Sequence, residues 1–152
     1  MGTASDHPPG LRTRFCLDLA ELRIILRYFL RALLTVAERC NVWLALHPDD
    51  PPLSPTLSVG RIMRSVADFQ RLVDLLPGLA NGITLCQGNF QLMTDDNPAA
   101  IPSFGASKTF SLHFRDVPGS AEKFKKAWYD DAPTDLLDCL GTCQEVGIDG
   151  IL

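Results

Sequence analysis

Three short apolar runs, each closing on a histidine or cysteine, constrain this chain more than any other feature. Residues 42–46 lead into His47, residues 83–85 into Cys86 and residues 110–112 into His113. Runs this short, apolar throughout and bounded by loop residues, read as strands buried on both faces. Buried strands of that kind belong to parallel sheets covered by helices. Residues 147–152 look like a fourth such strand.

The stretches between the runs carry helical periodicity. Asp18 and Glu21 form a capping box, followed by Leu19, Leu22, Leu26, Phe29, Leu30, Leu33 and Ala37 at helical spacing, so a helix is expected to about Cys40. Asn41 ends it. A proline-rich loop, residues 48–55, follows His47. Ser65 caps a second helix with Val66, Phe69, Leu72, Val73 and Leu76 inward, stopped by Pro77-Gly78. A polar loop is expected after Cys86, then a weak helix over residues 98–104 that Pro102 disturbs. Further helices are expected from Ser120 to about Tyr129 and from Thr134 to before Gly147, the latter with Leu136, Leu137 and Leu140 apolar. Residues 1–17, rich in proline, glycine and small polar groups, read as a poorly ordered tail, leaving 18–152 as one domain.

Strict alternation of strand and helix predicts an α/β fold with parallel strands. The spacing from His47 to Cys86 to His113 approximates one unit of a (β/α)8 barrel, about 31 residues if roughly 250 are divided by eight. Four strands would make half of such a barrel. Its functional face is the one at the C-terminal ends of the strands, where His47, Cys86 and His113 all fall.

Composition excludes some classes. The 152 residues carry a formal charge of −4, which gives no basic surface for nucleic acid. The longest apolar stretch, residues 24–36, is broken by Arg27 and Arg31 and predicts no membrane span. Residues 1–10 do not read as a secretory signal. Five cysteines without framework spacing fit a reducing, cytoplasmic setting.

Two imidazoles and a thiolate suit a transition metal, with Zn²⁺ or Fe²⁺ leading on ligand chemistry alone. Three protein ligands with an open position is a catalytic pattern. Taken singly, Cys86 also reads as a small buried hydrophobe, and His47 as a loop residue. Asp49 and Asp50 read as groups that orient the ligands, or as a Pro-Asp-Asp-Pro turn. Arg61 and Arg115 can clamp a carboxylate, whereas Arg64 reads as a solvated helix start. Gln87, Gly88 and Asn89 make a permissive loop, with Gly88 allowing close approach of substrate. Asp116 and Asp130 complete the candidate set, Asp130 reading equally as part of an acidic loop. Cys139 and Cys143, four apart on a predicted helix, read as packing.

On these residues the chain resembles the mannonate dehydratases. The likeness covers roughly residues 20–152 and is carried by HPDDPP, GRIMRSVADFQRLVD, NGITLCQGNF, HFRDVPGSAEKF and DDAPTDLLDCLGTCQEVGIDGIL. It implies a xylose-isomerase-like TIM barrel with a divalent Mn²⁺ or Fe²⁺ ion, Zn²⁺ not being excluded, held by two His, one Cys and one Asp. His47, Cys86 and His113 match the first three positions. The implied reaction is dehydration of D-mannonate to 2-keto-3-deoxy-D-gluconate in glucuronate catabolism. The fourth ligand and the acid/base His would come from an Arg-Pro-Asp-His segment expected beyond Leu152. Tyr129 and Ala132 stand where the family pattern has His and Gly. The four expected units are therefore the C-terminal half of the barrel, and the isolated chain is expected to be inactive. Its partners would be a sugar acid and either a second copy or the remaining half barrel. Two alternatives stand beside this reading: a TIM-barrel sugar isomerase or epimerase, and a non-catalytic half barrel that pairs with a partner.

Overall fold

The computed structural model describes residues 17–129, 131 and 134–150. The expected tail therefore lies outside the described residues except for Leu17, as does Asp130. Helix α1 spans Leu19–Arg39 and begins at the expected capping box. The Asp18 carboxylate accepts from the Ala20 and Glu21 amides, and Glu21 accepts from the Asp18 amide at 2.9 Å. Its buried stripe is Leu30, Leu34 and Ala37, whereas Phe29 is exposed.

Strand β1, Leu44–Leu46, is followed by α2, Val66–Leu75, capped by Ser65 as expected. Strand β2 is Asn81–Cys86 and runs without a break into α3, Gln87–Gln91. A short α4, Asn97–Ala100, passes into a 3₁₀ turn, Ile101–Ser103, so Pro102 sits in a tightened turn rather than an α-helix. Strand β3, Thr109–His113, completes a three-stranded parallel sheet in the order β1-β2-β3. Helix α5, Leu136–Val146, closes the described chain, capped by Asp135 rather than Thr134.

Residues 120–129 do not form the expected helix. Gly119–Ser120 (β4) and Lys123–Phe124 (β5) form a small antiparallel ribbon. Gly119 has φ +123°, outside the range of most L residues, and the chain folds back there before a helix can start. The expected fourth strand is also not formed among described residues: three parallel strands are present, and residues 151 and 152 lie outside them. Gly147 ends α5 in the left-handed conformation, with the Ile148 amide donating to Cys143 and the Gly147 amide to Gln144. The chain then reaches the flank of β3, where a Cβ on Gly150 would stand 2.8 Å from the Phe110 carbonyl oxygen.

The core lies between sheet and helices. Phe69 of α2, Phe90 of α3 and Phe104 stack around one another with centroids 5.2–6.2 Å apart. Ile83 and Leu85 project into this layer, and Asn81 donates to the carbonyls of Leu72 and Leu76 at the end of α2. Alternation along the strand therefore puts Gly82, Thr84 and Cys86 on the opposite face. In α5 the buried side chains are Cys139 and Cys143, while Leu137 faces solvent. Burial first, then the neighbouring Cys143 and the carboxylates of Asp138, Asp135 and Asp116, push the Cys139 thiol up to about 11. The two thiols are packing groups, as their spacing suggested.

Candidate metal centre

The sheet brings the three candidate ligands together. His47 immediately follows β1, Cys86 ends β2 and His113 ends β3, with Cys86 and His113 in direct register. Their ligand atoms all lie within 4.8 Å of one another. Ligand atoms bound tetrahedrally to one ion at about 2.0–2.3 Å stand roughly 3.5 Å apart, so the three side chains are within reach of a common ion after drawing together by about 1 Å. The donor set, two borderline imidazoles and one soft thiolate, fits a first-row transition ion.

Each candidate ligand has its own local setting. The His47 Nδ1 donates to the Pro48 carbonyl at 2.7 Å, which leaves Nε2 with its lone pair available. The His113 pKa lies below its usual value through desolvation, then the nearby His47 and Arg115, so its ring is neutral and ready to bind. Cys86 is buried, which pushes its thiol pKa up. The Asn89 backbone amide and the Arg115 cation oppose that rise, while Asp50 reinforces it.

The other sequence-selected residues divide into those beside this centre and those that hold the loops. Arg115 reaches across it, its Nη2 donating to Asp50 at 2.9 Å and to Asn89 at 2.7 Å. Asp49 closes the proline-rich loop: it accepts from the Met63 amide at 2.8 Å and pairs with Arg61 at 3.2 Å. Asp116 is fully buried, accepts from the Val117 amide and bears on Cys139 rather than on the ligands. Gly88 does leave room for a close approach, but the side chain of Arg115 fills it, 2.6 Å from where a Cβ would be. Gln87 is wholly buried, and neither end of its carboxamide finds a partner among the described residues. Asn89 Nδ2 and Arg115 Nε are likewise buried and unsatisfied. Each such group costs about 1–3 kcal/mol unless water or a ligand meets it, and all three belong to residues at or near Cys86.

Asn89 carries more of the geometry than the sequence suggested. In a loop it would be one polar residue among several. As the third residue of α3 it holds Arg115 with its side chain and faces Cys86 with its amide. Gly88 and Asn89 have low helix propensity, which the tertiary contacts of this turn outweigh.

The model of the D-mannonate dehydratase (UxuA) family matches residues 11–152. A mannonate dehydratase of Enterococcus faecalis is 33% identical over 131 residues, which are 84% of this chain and 36% of that protein. The crystal structure of mannonate dehydratase from Streptococcus suis serotype 2 superposes with a TM-score of 0.81 at 26% identity, covering 90% of this chain and 40% of that one. The IOLI protein, solved with a zinc atom, shares the fold with a TM-score of 0.67 at 18% identity, covering 93% of this chain and 49% of that one. The chain thus spans well under half the length of these dehydratases. No helix among the described residues is long and apolar enough to cross a membrane. With a matching family model over nearly its whole length, and the ligands converging at three successive strand ends, the chain belongs to the D-mannonate dehydratase family.

Proposed function

We propose that this chain is the part of a mannonate dehydratase barrel that supplies three ligands of its divalent metal centre: His47, Cys86 and His113. The observation that carries the reading is their convergence within 4.8 Å from three consecutive parallel strand ends. The sheet itself would be a segment of a xylose-isomerase-like (β/α)8 barrel, with β1 and β3 as the edges along which further strands add.

The substrate class that fits is a sugar acid, D-mannonate. Its C2 proton is only weakly acidic because the adjacent carboxylate stabilises a carbanion poorly. A divalent ion, Mn²⁺ or Fe²⁺, would supply Lewis-acid stabilisation of the charge that develops on the substrate oxygens. The chain's own residues hold and orient. His47 and His113 present neutral nitrogens, Cys86 presents sulfur from a buried position, and the exposed side of the two imidazoles leaves room for substrate. Removal of the C2 proton and departure of the C3 hydroxyl need a base and an acid. Among the described residues the only histidines are His47 and His113, so a histidine acting as acid or base would come from elsewhere in the whole enzyme. The free thiols at Cys40, Cys86, Cys139 and Cys143 support a reducing cytoplasmic setting.

The test pairs binding with turnover. The 152-residue polypeptide should take up one Mn²⁺ or Fe²⁺ ion, lose it on His47→Ala, and release no 2-keto acid from D-mannonate. A polypeptide that binds no divalent ion would overturn the metal assignment. Turnover above the His47→Ala background would overturn the placing of the acid/base groups outside it.

A further inference from the structure

Arg115 is the residue around which the ligand-bearing strand ends are tied. It sits two residues past His113 at the end of β3. Its Nη2 donates to Oδ2 of Asp50, in the loop that leaves β1, and to Oδ1 of Asn89, in the helix that leaves β2. The guanidinium thus spans the exits of all three strands. Its stem lies against Gly88: a Cβ there would come 2.6 Å from Cγ, 2.9 Å from Nε and 3.0 Å from the Arg115 carbonyl oxygen. The Asp50 arm is exposed, whereas the Asn89 arm is part-buried, so the bond to Asn89 is the better shielded of the two. A guanidinium committed to two acceptors and packed on a glycine is a fixed structural part rather than a free clamp.

Resting on the metal reading above, we propose that the Asp50–Arg115–Asn89 bridge is the positioning device of the centre: it sets the spacing of His47, Cys86 and His113, and Gly88 is glycine so that the bridge can close. Arg115 acts through the ligands and not on substrate. Two features fit this role. The bridge touches one neighbour of each ligand. At Gly88, where Ala would favour a helix by about 1 kcal/mol, the absence of a Cβ leaves the arginine stem its place.

Co²⁺ is the probe, because its thiolate charge-transfer and d–d bands report ligand geometry as well as affinity. Arg115→Met keeps the stem and removes the bridge. It should weaken Co²⁺ binding about 10–100-fold, the usual effect of losing a group that orients a ligand, and shift the bands, while circular dichroism stays that of a folded chain. Arg115→Lys keeps the charge but cannot hold both acceptors in the same way, so it should bind as weakly as Arg115→Met. Gly88→Ala changes no charge and should weaken binding in the same direction. Gly88→Ala combined with Arg115→Ala should bind no worse than Arg115→Ala alone. Unchanged affinity and bands in Gly88→Ala, or full recovery by lysine, would overturn the bridge while leaving the metal site standing. A wild-type chain that does not bind Co²⁺ would overturn the site and the bridge together. Should an arginine variant fail to fold, the Gly88→Ala result decides.

Discussion

His47, just past β1, and His113, at the end of β3, belong to strands that do not pair, yet their ring centroids are 5.2 Å apart and their planes are tilted by 44°. Two strand spacings measure about 9.6 Å across a flat sheet. The two rings therefore lean toward each other over β2, with Cys86 on the strand between them. Loss of any one of the three ligands should leave two donors too few to hold an ion tightly. His47→Ala, Cys86→Ala and His113→Ala should each weaken Co²⁺ or Zn²⁺ binding on the order of 100-fold or more, above the range for groups that merely orient a ligand. Isothermal titration of each variant checks this. An alanine variant with wild-type affinity would remove that residue from the ligand set.

Metal uptake should be coupled to protons in a defined direction. In the free chain Cys86 titrates above its ordinary value of 9.0 because burial disfavours the thiolate, and His113 titrates below 6.5 because burial, then the neighbouring His47 and Arg115, disfavour the imidazolium. At pH 7–8 the His113 ring is already neutral, but the Cys86 thiol must lose its proton to bind. Affinity should therefore rise about tenfold per pH unit across pH 7–8, with one proton released per ion. Proton release measured in two buffers of different ionisation enthalpy checks the count, and a pH-independent affinity would contradict a thiolate ligand.

Much of this arrangement was legible because it rests on local rules. The Asp18–Glu21 box and the Ser65 cap sit where their side chains meet amides. Strand ends marked by His47, Cys86 and His113 follow from short apolar runs. The misreadings arose where tertiary contacts outweigh local preference. Gln87-Gly88-Asn89 reads as a loop, but Phe90 packs on Phe69 and Arg115 packs on Gly88, and both contacts need the helical turn. Residues 120–129 were expected to be helical from a serine start, but the backbone at Gly119 has already turned into a ribbon. Asp116 is a site candidate by its distance from His113, and the structure places it beside Cys139. Its burial toward α5 depends on the turn after β3, which no spacing reveals.

Gly82 is a further position where a side chain has no room. A Cβ there would fall on the Phe110 ring and 2.5 Å from the Lys108 carbonyl oxygen. Phe110 in turn stacks on Trp43 with centroids 5.6 Å apart, closing the end of the sheet away from the ligands. Gly82→Ala should push β2 and β3 apart at that end and destabilise the fold by about 1–3 kcal/mol, the usual cost of overpacking. Urea unfolding measures it. The ligand end is four residues along the strand at Cys86, so metal affinity should change much less than stability.

Phe69 tests whether the helices and the sheet share one core. It is fully buried, and its ring touches Phe90 at 5.2 Å and Phe104 at 6.2 Å, which joins α2 to α3 and to the segment that precedes β3. Truncation removes an aromatic side chain from a site that three separate elements must collapse to fill. Phe69→Ala should cost about 3–5 kcal/mol, a large share of the roughly 5–15 kcal/mol that holds a domain together. Phe69→Leu, which keeps most of the volume, should cost markedly less. Because Phe90 lies four residues beyond Cys86 on α3, the alanine variant should also loosen the ligand end. In hydrogen exchange, the α3 amides should lose protection together with those of α2. Loss confined to α2 would mean that the α3 turn is held by the Arg115 side alone and not by this aromatic cluster.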